Sequence, residues 1–89
     1  MTGVQFSTLV EVRLRAGIAD PQGSTIERSL PTLGVTDVSG VTVGKAIRFQ
    51  VSAADEPSAR RIVEDLCQRF LTNPVIEDAV ITLEPDGQP

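Results

Sequence analysis

The segment between Asp55 and Pro74 constrains the fold more than any other part of the sequence, because it encodes one complete amphipathic helix. Asp55 is a favourable N-cap, and Pro57 falls in the first turn, where its missing N–H is not needed. Asn73 precedes Pro74 and is therefore biased away from helical geometry, which ends the helix. The apolar face, which must pack against another element, comprises Ala59, Ile62, Val63, Leu66, Cys67 and Phe70.

Segments with a two-residue apolar period predict the strands that accompany this helix. Residues 6–15 form the first strand, and residues 75–84 form the last. Between them, residues 41–51 contain two short β patterns that meet near Gly44. They predict a hairpin, with a single long bent strand as the alternative. One face of the first strand consists of Thr8, Val10, Val12 and Leu14.

The stretch after the first strand predicts a further helix over residues 24–33. Ser24 and Glu27 have the spacing of a capping box, in which each side chain accepts a backbone N–H from the other residue. Pro31 removes a helical hydrogen bond, so that the last turn is expected to be loosely wound before Gly34 ends it. The apolar stripe of this helix comprises Ile26, Leu30 and Leu33.

The order strand, helix, strand, strand, helix, strand predicts an α+β fold of the ferredoxin-like β-α-β-β-α-β type. In such a fold an antiparallel sheet carries both helices on one face and leaves the other face open. Leu9 lies on that open face, together with Val80 or Ile81, depending on the register. Apolar residues on an open sheet predict self-association through the sheet, into at least a dimer.

Size and composition exclude several classes of function. A chain of 89 residues is expected to be one domain over 1–89, with its core at about 6–84 and a frayed tail at 85–89. Its net charge of −4 argues against binding to nucleic acid or to an anionic membrane. The apolar runs are too short to span a bilayer, and the N-terminus lacks the pattern of a secretory signal. We therefore expect a cytoplasmic protein.

The sequence contains little catalytic equipment. Histidine is absent, which removes the usual general base and the commonest metal ligand. Cys67 lies on the apolar face of its helix and is interpreted as a core residue. Glu77 and Asp78 are neighbours in a strand and point to opposite faces, so that they cannot easily share a ligand. We therefore predict no catalytic, cofactor or metal site on this chain.

Five motifs, taken together and in this order, resemble the PurS family, the small subunit of a multi-subunit phosphoribosylformylglycinamidine synthase. They are a V-x-V-x-L strand, DPQG at 20–23, Leu33-Gly34 at the end of the first helix, VGK at 43–45 and NPVIED at 73–78. The resemblance extends over about residues 8–84. Ser24 and Ala79 depart from the family pattern, which often has a lysine and an aromatic residue at these positions.

The resemblance implies a non-catalytic role in purine biosynthesis. It implies a homodimer or homotetramer that bridges a PurL-type synthetase subunit, which uses ATP and Mg, and a PurQ-type glutaminase subunit. Together these subunits convert formylglycinamide ribonucleotide, glutamine, ATP and water to formylglycinamidine ribonucleotide, glutamate, ADP and phosphate, and the small subunit assists ammonia transfer. The alternative is a ferredoxin-like regulatory domain that binds a small metabolite at a dimer interface.

The motif residues are the candidate contacts with partner subunits. Asp20 and Gln22 have no role in the predicted helix cap, and polar residues on a rigid turn are typical of contact surfaces. On this interpretation, replacing both by alanine weakens assembly and leaves the melting temperature nearly intact. The full set of candidates is Asp20, Pro21, Gln22, Gly23, Val43, Gly44, Lys45, Asn73, Pro74, Glu77 and Asp78.

Overall fold

The computed structural model describes residues 3–85 and has an α+β architecture. Its main elements are β1 (Val4–Leu14), α1 (Pro21–Ser29), β2 (Lys45–Ala53), α2 (Glu56–Leu66) and β3 (Glu77–Pro85). The strands form one antiparallel sheet in the order β2-β1-β3. The predicted α+β class and the antiparallel sheet are confirmed.

The central strand, β1, supplies much of the core. Its inward side chains are buried, as the two-residue period predicts, and α2 packs over them. The Thr8 hydroxyl is buried among them and donates to the carbonyl oxygen of Phe6 at 3.3 Å. The buried set comprises Phe6, Thr8, Val10, Val12, Val51, Ala53, Ala59, Val63 and Cys67.

The middle of the chain differs from the predicted hairpin. In the described part of the chain, residues 35–44 form no strand, and β2 is a single strand that begins at Lys45. The backbone at Gly44 lies close against β1, because an added Cβ there would lie 2.5 Å from the carbonyl oxygen of Val12. The outer edge of β2 is therefore left without the neighbouring strand that a hairpin would supply.

The first helix begins at Pro21 rather than at residue 24. Asp20 is its N-cap, and Pro21 occupies a first-turn position that needs no N–H partner. The predicted capping box is therefore wrong, because the Ser24 N–H donates to the Asp20 carbonyl at 3.0 Å, inside the helix. The loose last turn is confirmed: a 3₁₀ turn at Pro31–Leu33 follows α1, and Gly34 ends it with φ of 83°.

Little of α1 is buried. Gly23 is its buried residue, whereas Ile26 and Leu33, both predicted on its apolar stripe, are 46% and 74% exposed. The molecule is correspondingly elongated, with a Cα radius of gyration of 17.3 Å. A compact domain of this length would have a radius of about 12 Å. The single protomer therefore leaves apolar surface that further protein can cover.

The second helix follows the prediction at its start and departs from it at its end. Asp55 caps α2, its carboxylate accepting a backbone N–H at 2.9 Å. A π-helical turn at Cys67–Leu71 then adds residues to the last turn. Because of this turn, it is Leu71 that follows the buried side chains of α2 and packs on the core. Phe70 instead points away from the core and is 78% exposed. The placement of Phe70 on the core face is therefore wrong.

The last strand is shifted toward the C-terminus. It begins at Glu77, and residues 74–76 form a turn, in which the Asn73 carbonyl accepts the N–H of Glu77 at 2.8 Å. It extends to Pro85, which the sequence placed in the frayed tail. The rest of that predicted tail, 86–89, lies outside the described residues.

The register of β3 settles which apolar side chain lies on the open face. Val80 pairs with Glu11, and Ile81 pairs with Val10. Cross-strand partners share a face, and Val10 is buried under α2. Val80 therefore lies on the open face, near Leu9.

Candidate functional site

The DPQG, VGK and NPVIED segments meet at one end of the sheet, which we call the motif end. Both β2 and β3 run antiparallel to β1, so that each begins beside the last residues of β1. Lys45 pairs with Val12, and Glu77 pairs with Leu14. The DPQG segment follows β1 after a short turn. Segments far apart in sequence thus share one end of the sheet.

Asp20 joins two of these segments. One carboxylate oxygen accepts the backbone N–H of Gly23 at 2.9 Å, and the other accepts the backbone N–H of Val43 at 2.8 Å. These hydrogen bonds favour the charged carboxylate and lower the pKa of Asp20 below its usual value. The interpretation of Asp20 as a side chain without a local role is therefore wrong. The Asp20-Pro21 pair, an N-cap followed by a first-turn proline, is the sequence signal that could have located this cap.

A second carboxylate, which belongs to α1 itself, binds the same part of the chain. Glu27 was predicted to serve the cap of α1, but it accepts the backbone N–H of Val41 at 3.0 Å. The backbone of Gly23 also packs closely against this part of the chain, because a side chain at residue 23 would overlap the carbonyl oxygen of Val41. Residues 41–43, which we call the tethered segment, are therefore bound to α1 by two carboxylates and by close backbone contact.

The NPVIED segment is ordered by its own side chains. The Glu77 carboxylate accepts the backbone N–H of Asn73 at 2.8 Å, and the Asn73 side-chain oxygen accepts the N–H of Val75 at 3.2 Å. Asp78 makes an ion pair with Arg15 at 3.4 Å, and both side chains are largely exposed. Such exposed pairs contribute little to stability. The two adjacent carboxylates thus have different partners, as expected of neighbours in a strand.

A groove of about 380 Å³ follows the motif end and brings most of the candidate residues together. Its lining comprises Val12, Leu14, Asp20, Pro21, Gln22, Val43, Gly44, Lys45 and Glu77. Pro74 and Asp78 lie in a neighbouring groove of about 610 Å³, and Glu77 lines both. Gln22 and Lys45 are exposed at the first groove. They are suited to polar contacts with another protein.

The chemistry available at the motif end is limited. Between residues 3 and 85, no three or more His, Cys, Asp or Glu side chains are grouped so that they could hold a metal ion. Cys67 is buried, and burial, with a smaller contribution from Glu64, raises the pKa of its thiol. A raised pKa makes a thiol a poorer nucleophile at neutral pH. In the same residues, no helix is long and apolar enough to cross a membrane.

Comparison with known families matches residues 7–85 to PurS, described as phosphoribosylformylglycinamidine (FGAM) synthase. The PurS subunit of this synthase from Methanocaldococcus jannaschii is 34% identical over 79 residues, covering 89% of this chain and 95% of the relative. The PurS subunit from Mycobacterium leprae is 42% identical over 77 residues, covering 85% of this chain and 92% of the relative.

Solved structures agree with this assignment. The crystal structure of the PurS subunit from Thermotoga maritima has a TM-score of 0.84 at 31% identity, covering 94% of this chain and 97% of that one. A chain in the structure of PurLQS from Thermotoga maritima has a TM-score of 0.82 at 32% identity, covering 90% of this chain and 98% of that one. The chain described here therefore belongs to the PurS family, whose members are subunits of phosphoribosylformylglycinamidine synthase.

Proposed function

We propose that this chain is the non-catalytic docking subunit of a cytoplasmic FGAM synthase in purine biosynthesis. It bridges a PurL-type synthetase subunit and a PurQ-type glutaminase subunit and assists the transfer of ammonia between them. ATP and Mg are used by the synthetase subunit and not by this chain. The Thermotoga maritima PurLQS structure, which includes a similar chain, supports partners of these two kinds.

The ordered motif end is the observation that carries this proposal. Three of its carboxylates, Asp20, Glu27 and Glu77, accept backbone N–H groups of the same chain. Through these hydrogen bonds they fix the shape of the surface. A rigid surface loses little conformational entropy on binding, which favours docking. The exposed Gln22 and Lys45 are left to make the polar contacts.

The chemistry of ammonia explains why a subunit without reacting groups is useful. Ammonia released into water at neutral pH is diluted and mostly protonated, and the ammonium ion is not a nucleophile. A docked assembly with a water-poor route between the two active sites avoids both losses. The docking subunit needs only to hold the two partners in place.

Reconstitution tests the role of the chain as a whole. We expect no activity from the chain alone, and glutamine-dependent FGAM synthesis when it is mixed with both large subunits. Synthesis from added ammonium salt should need only the synthetase subunit. If the glutamine-dependent rate is the same when this chain is omitted, the proposed function is refuted.

A double variant tests the motif end as the docking surface. Gln22→Ala with Lys45→Glu removes one polar contact and reverses one charge at the groove. We expect at least a ten-fold loss of glutamine-dependent synthesis at limiting subunit concentration, with the ammonium-dependent rate and the melting temperature unchanged. The matched control is Gln5→Ala with Glu84→Lys, at the opposite end of the sheet. Equal activities for the two double variants would exclude the motif end.

A further inference from the structure

The outer edge of β3 has no neighbouring strand among residues 3–85, and we propose that it accepts an extended basic segment of a partner subunit as a fourth strand. The segment would pair with the half of β3 that begins at the motif end. The inference rests on the proposed function and deepens it, because it names the chemistry of the segment that the docking subunit binds.

The hydrogen bonds between β1 and β3 identify the backbone groups that point outward. The Arg15 N–H donates to the Ile76 carbonyl at 2.8 Å, in the register that β3 then continues. Bonded and non-bonded pairs alternate along an antiparallel ladder, so that every second residue of β3 faces β1. The backbone N–H and C=O groups of Ala79 and Ile81 therefore point away from β1, toward the open edge. An exposed row of this kind is a template for another strand.

A groove of about 610 Å³ lies between α2 and this part of β3. Its apolar lining includes Cys67, Ala79 and Ile81, and α2 leaves the last two side chains only half-buried. A strand added at the edge places every second side chain on this face of the sheet. Apolar side chains at those positions would cover Ala79 and Ile81 and bury further surface.

Charge selects a basic segment. Four carboxylates line the groove against two cations, and the set comprises Glu64, Asp65, Glu77, Asp78, Arg15 and Arg61. Within the described residues Glu64 makes no ion pair, and Asp78 is exposed on the opposite face of the sheet from Ala79. A cation opposite Asp78 would form a favourable cross-strand pair. The expected segment therefore alternates apolar residues, opposite Ala79 and Ile81, with lysine or arginine.

A second copy of the chain is a poor occupant of this edge. β3 contains Glu77, Asp78 and Glu84 but no lysine or arginine. Two-fold pairing centred on Ile81, the middle residue of the strand, would place Asp78 opposite Glu84 of the second copy, and this repulsion would occur twice. Like charges directly opposite each other destabilise a strand pair. The occupant is therefore a different protein.

A short peptide tests the edge without any partner subunit. The probe is acetyl-Lys-Val-Lys-Val-Lys-amide, which reads the same in both directions and places valines opposite Ala79 and Ile81. In a titration followed by two-dimensional NMR, we expect saturable shifts of the Ala79 and Ile81 amide signals. The Val80 amide, which faces β1, should shift less. The acidic peptide acetyl-Glu-Val-Glu-Val-Glu-amide is the control and should cause no saturable shift.

A charge reversal tests the contact with Asp78. Asp78→Lys should raise the dissociation constant of the basic peptide by about five-fold or more, because attraction becomes repulsion. The matched control, Asp37→Lys, makes the same charge change on an exposed loop and should leave the constant unchanged. The absence of saturable shifts, equal binding of the acidic peptide, or equal constants for the two variants would overturn the proposal.

Hydrogen exchange in the reconstituted complex tests the occupant. The Ala79 and Ile81 amides should exchange rapidly in the chain alone and about ten-fold more slowly, or slower still, with both large subunits present. Protection that is already present in the chain alone and rises with its concentration would assign the edge to a second copy and overturn the proposal. If glutamine-dependent synthesis requires this chain but both amides stay unprotected in the active complex, this inference fails and the proposed function stands.

Discussion

Replacing Gly23 by alanine tests whether α1 is docked on the tethered segment as described. The added methyl group would overlap the carbonyl oxygen of Val41 and lie 2.9 Å from a carboxylate oxygen of Asp20. Ordinary contact with a methyl carbon begins at 3.4 Å, so that α1 and the segment must separate by about 1 Å. A shift of this size would lengthen the Val43–Asp20 hydrogen bond, now 2.8 Å, beyond hydrogen-bonding range.

Two opposing effects set the size of the change. Overpacking a close contact costs about 1–3 kcal/mol, while glycine to alanine within a helix stabilises by about 1 kcal/mol. We therefore expect the free energy of unfolding to fall by about 1 kcal/mol, which lowers the melting temperature by about 5 °C in a domain of this size. Thermal unfolding followed by circular dichroism measures the global change. Hydrogen exchange at the Val43 amide reports the local one.

Ser24→Ala is the matched control, because residue 24 is the next in α1 and is exposed. The structure places Ser24 inside the helix, so that its change should stay within about 0.5 kcal/mol. If Ser24 were the N-cap, its loss would cost about 1 kcal/mol. The docking of α1 is contradicted if the Gly23→Ala protein is at least as stable as the wild type and keeps its Val43 amide protected.

Three further predictions concern α2 and the helix caps. Leu71→Ala should lower the free energy of unfolding in urea by about 2 kcal/mol, whereas Phe70→Ala should change it by less than about 0.5 kcal/mol. A larger loss of stability for Phe70→Ala than for Leu71→Ala would refute the π turn. Cys67 should react with a disulfide reagent only as fast as the chain unfolds, and rapid labelling of the folded protein would show that the thiol is accessible. The pKa values of Asp20 and Asp55 are lowered, so that their stabilisation is present above the unfolded pKa near 3.8 and is lost as pH falls through the lower folded value. The melting temperature should therefore drop on acidification below about pH 4, and Asp55→Asn, which keeps the cap, should reduce that drop.

Local patterns predicted the parts of the fold that local physics determines. The alternation in β1 identified its buried face, because side chains on a strand point to opposite faces in turn. The start of α2 followed from Asp55 and Pro57, each of which acts within one helical turn. The loose turn at Pro31 was predicted for the same reason, since the missing N–H of proline acts on its immediate neighbours.

The features that were missed depend on contacts between distant parts of the chain. The hairpin at 41–51 was not formed because Asp20 and Glu27, which are distant in sequence, bind the tethered segment. The exposure of Phe70 depends on a π turn, which a regular helical period does not represent. At the candidate site, the motifs indicated which segments matter and the topology explains why they meet. The sequence could not show that Asp20 is bound internally, whereas Gln22 and Lys45 are exposed.

The double hydrogen bond of Asp20 has a consequence for engineering the protein. One of these bonds joins Asp20 to the backbone N–H of Val43. Residues 21–42 therefore form a loop outside the sheet whose two ends are held together. Residues 36–40, near its tip, are exposed and carry no regular structure. Lengthening such a loop costs little conformational entropy, and exposed loop tips accept inserted sequence well. A short peptide tag or fluorophore site placed there would report on assembly while the sheet and its motif end keep their geometry.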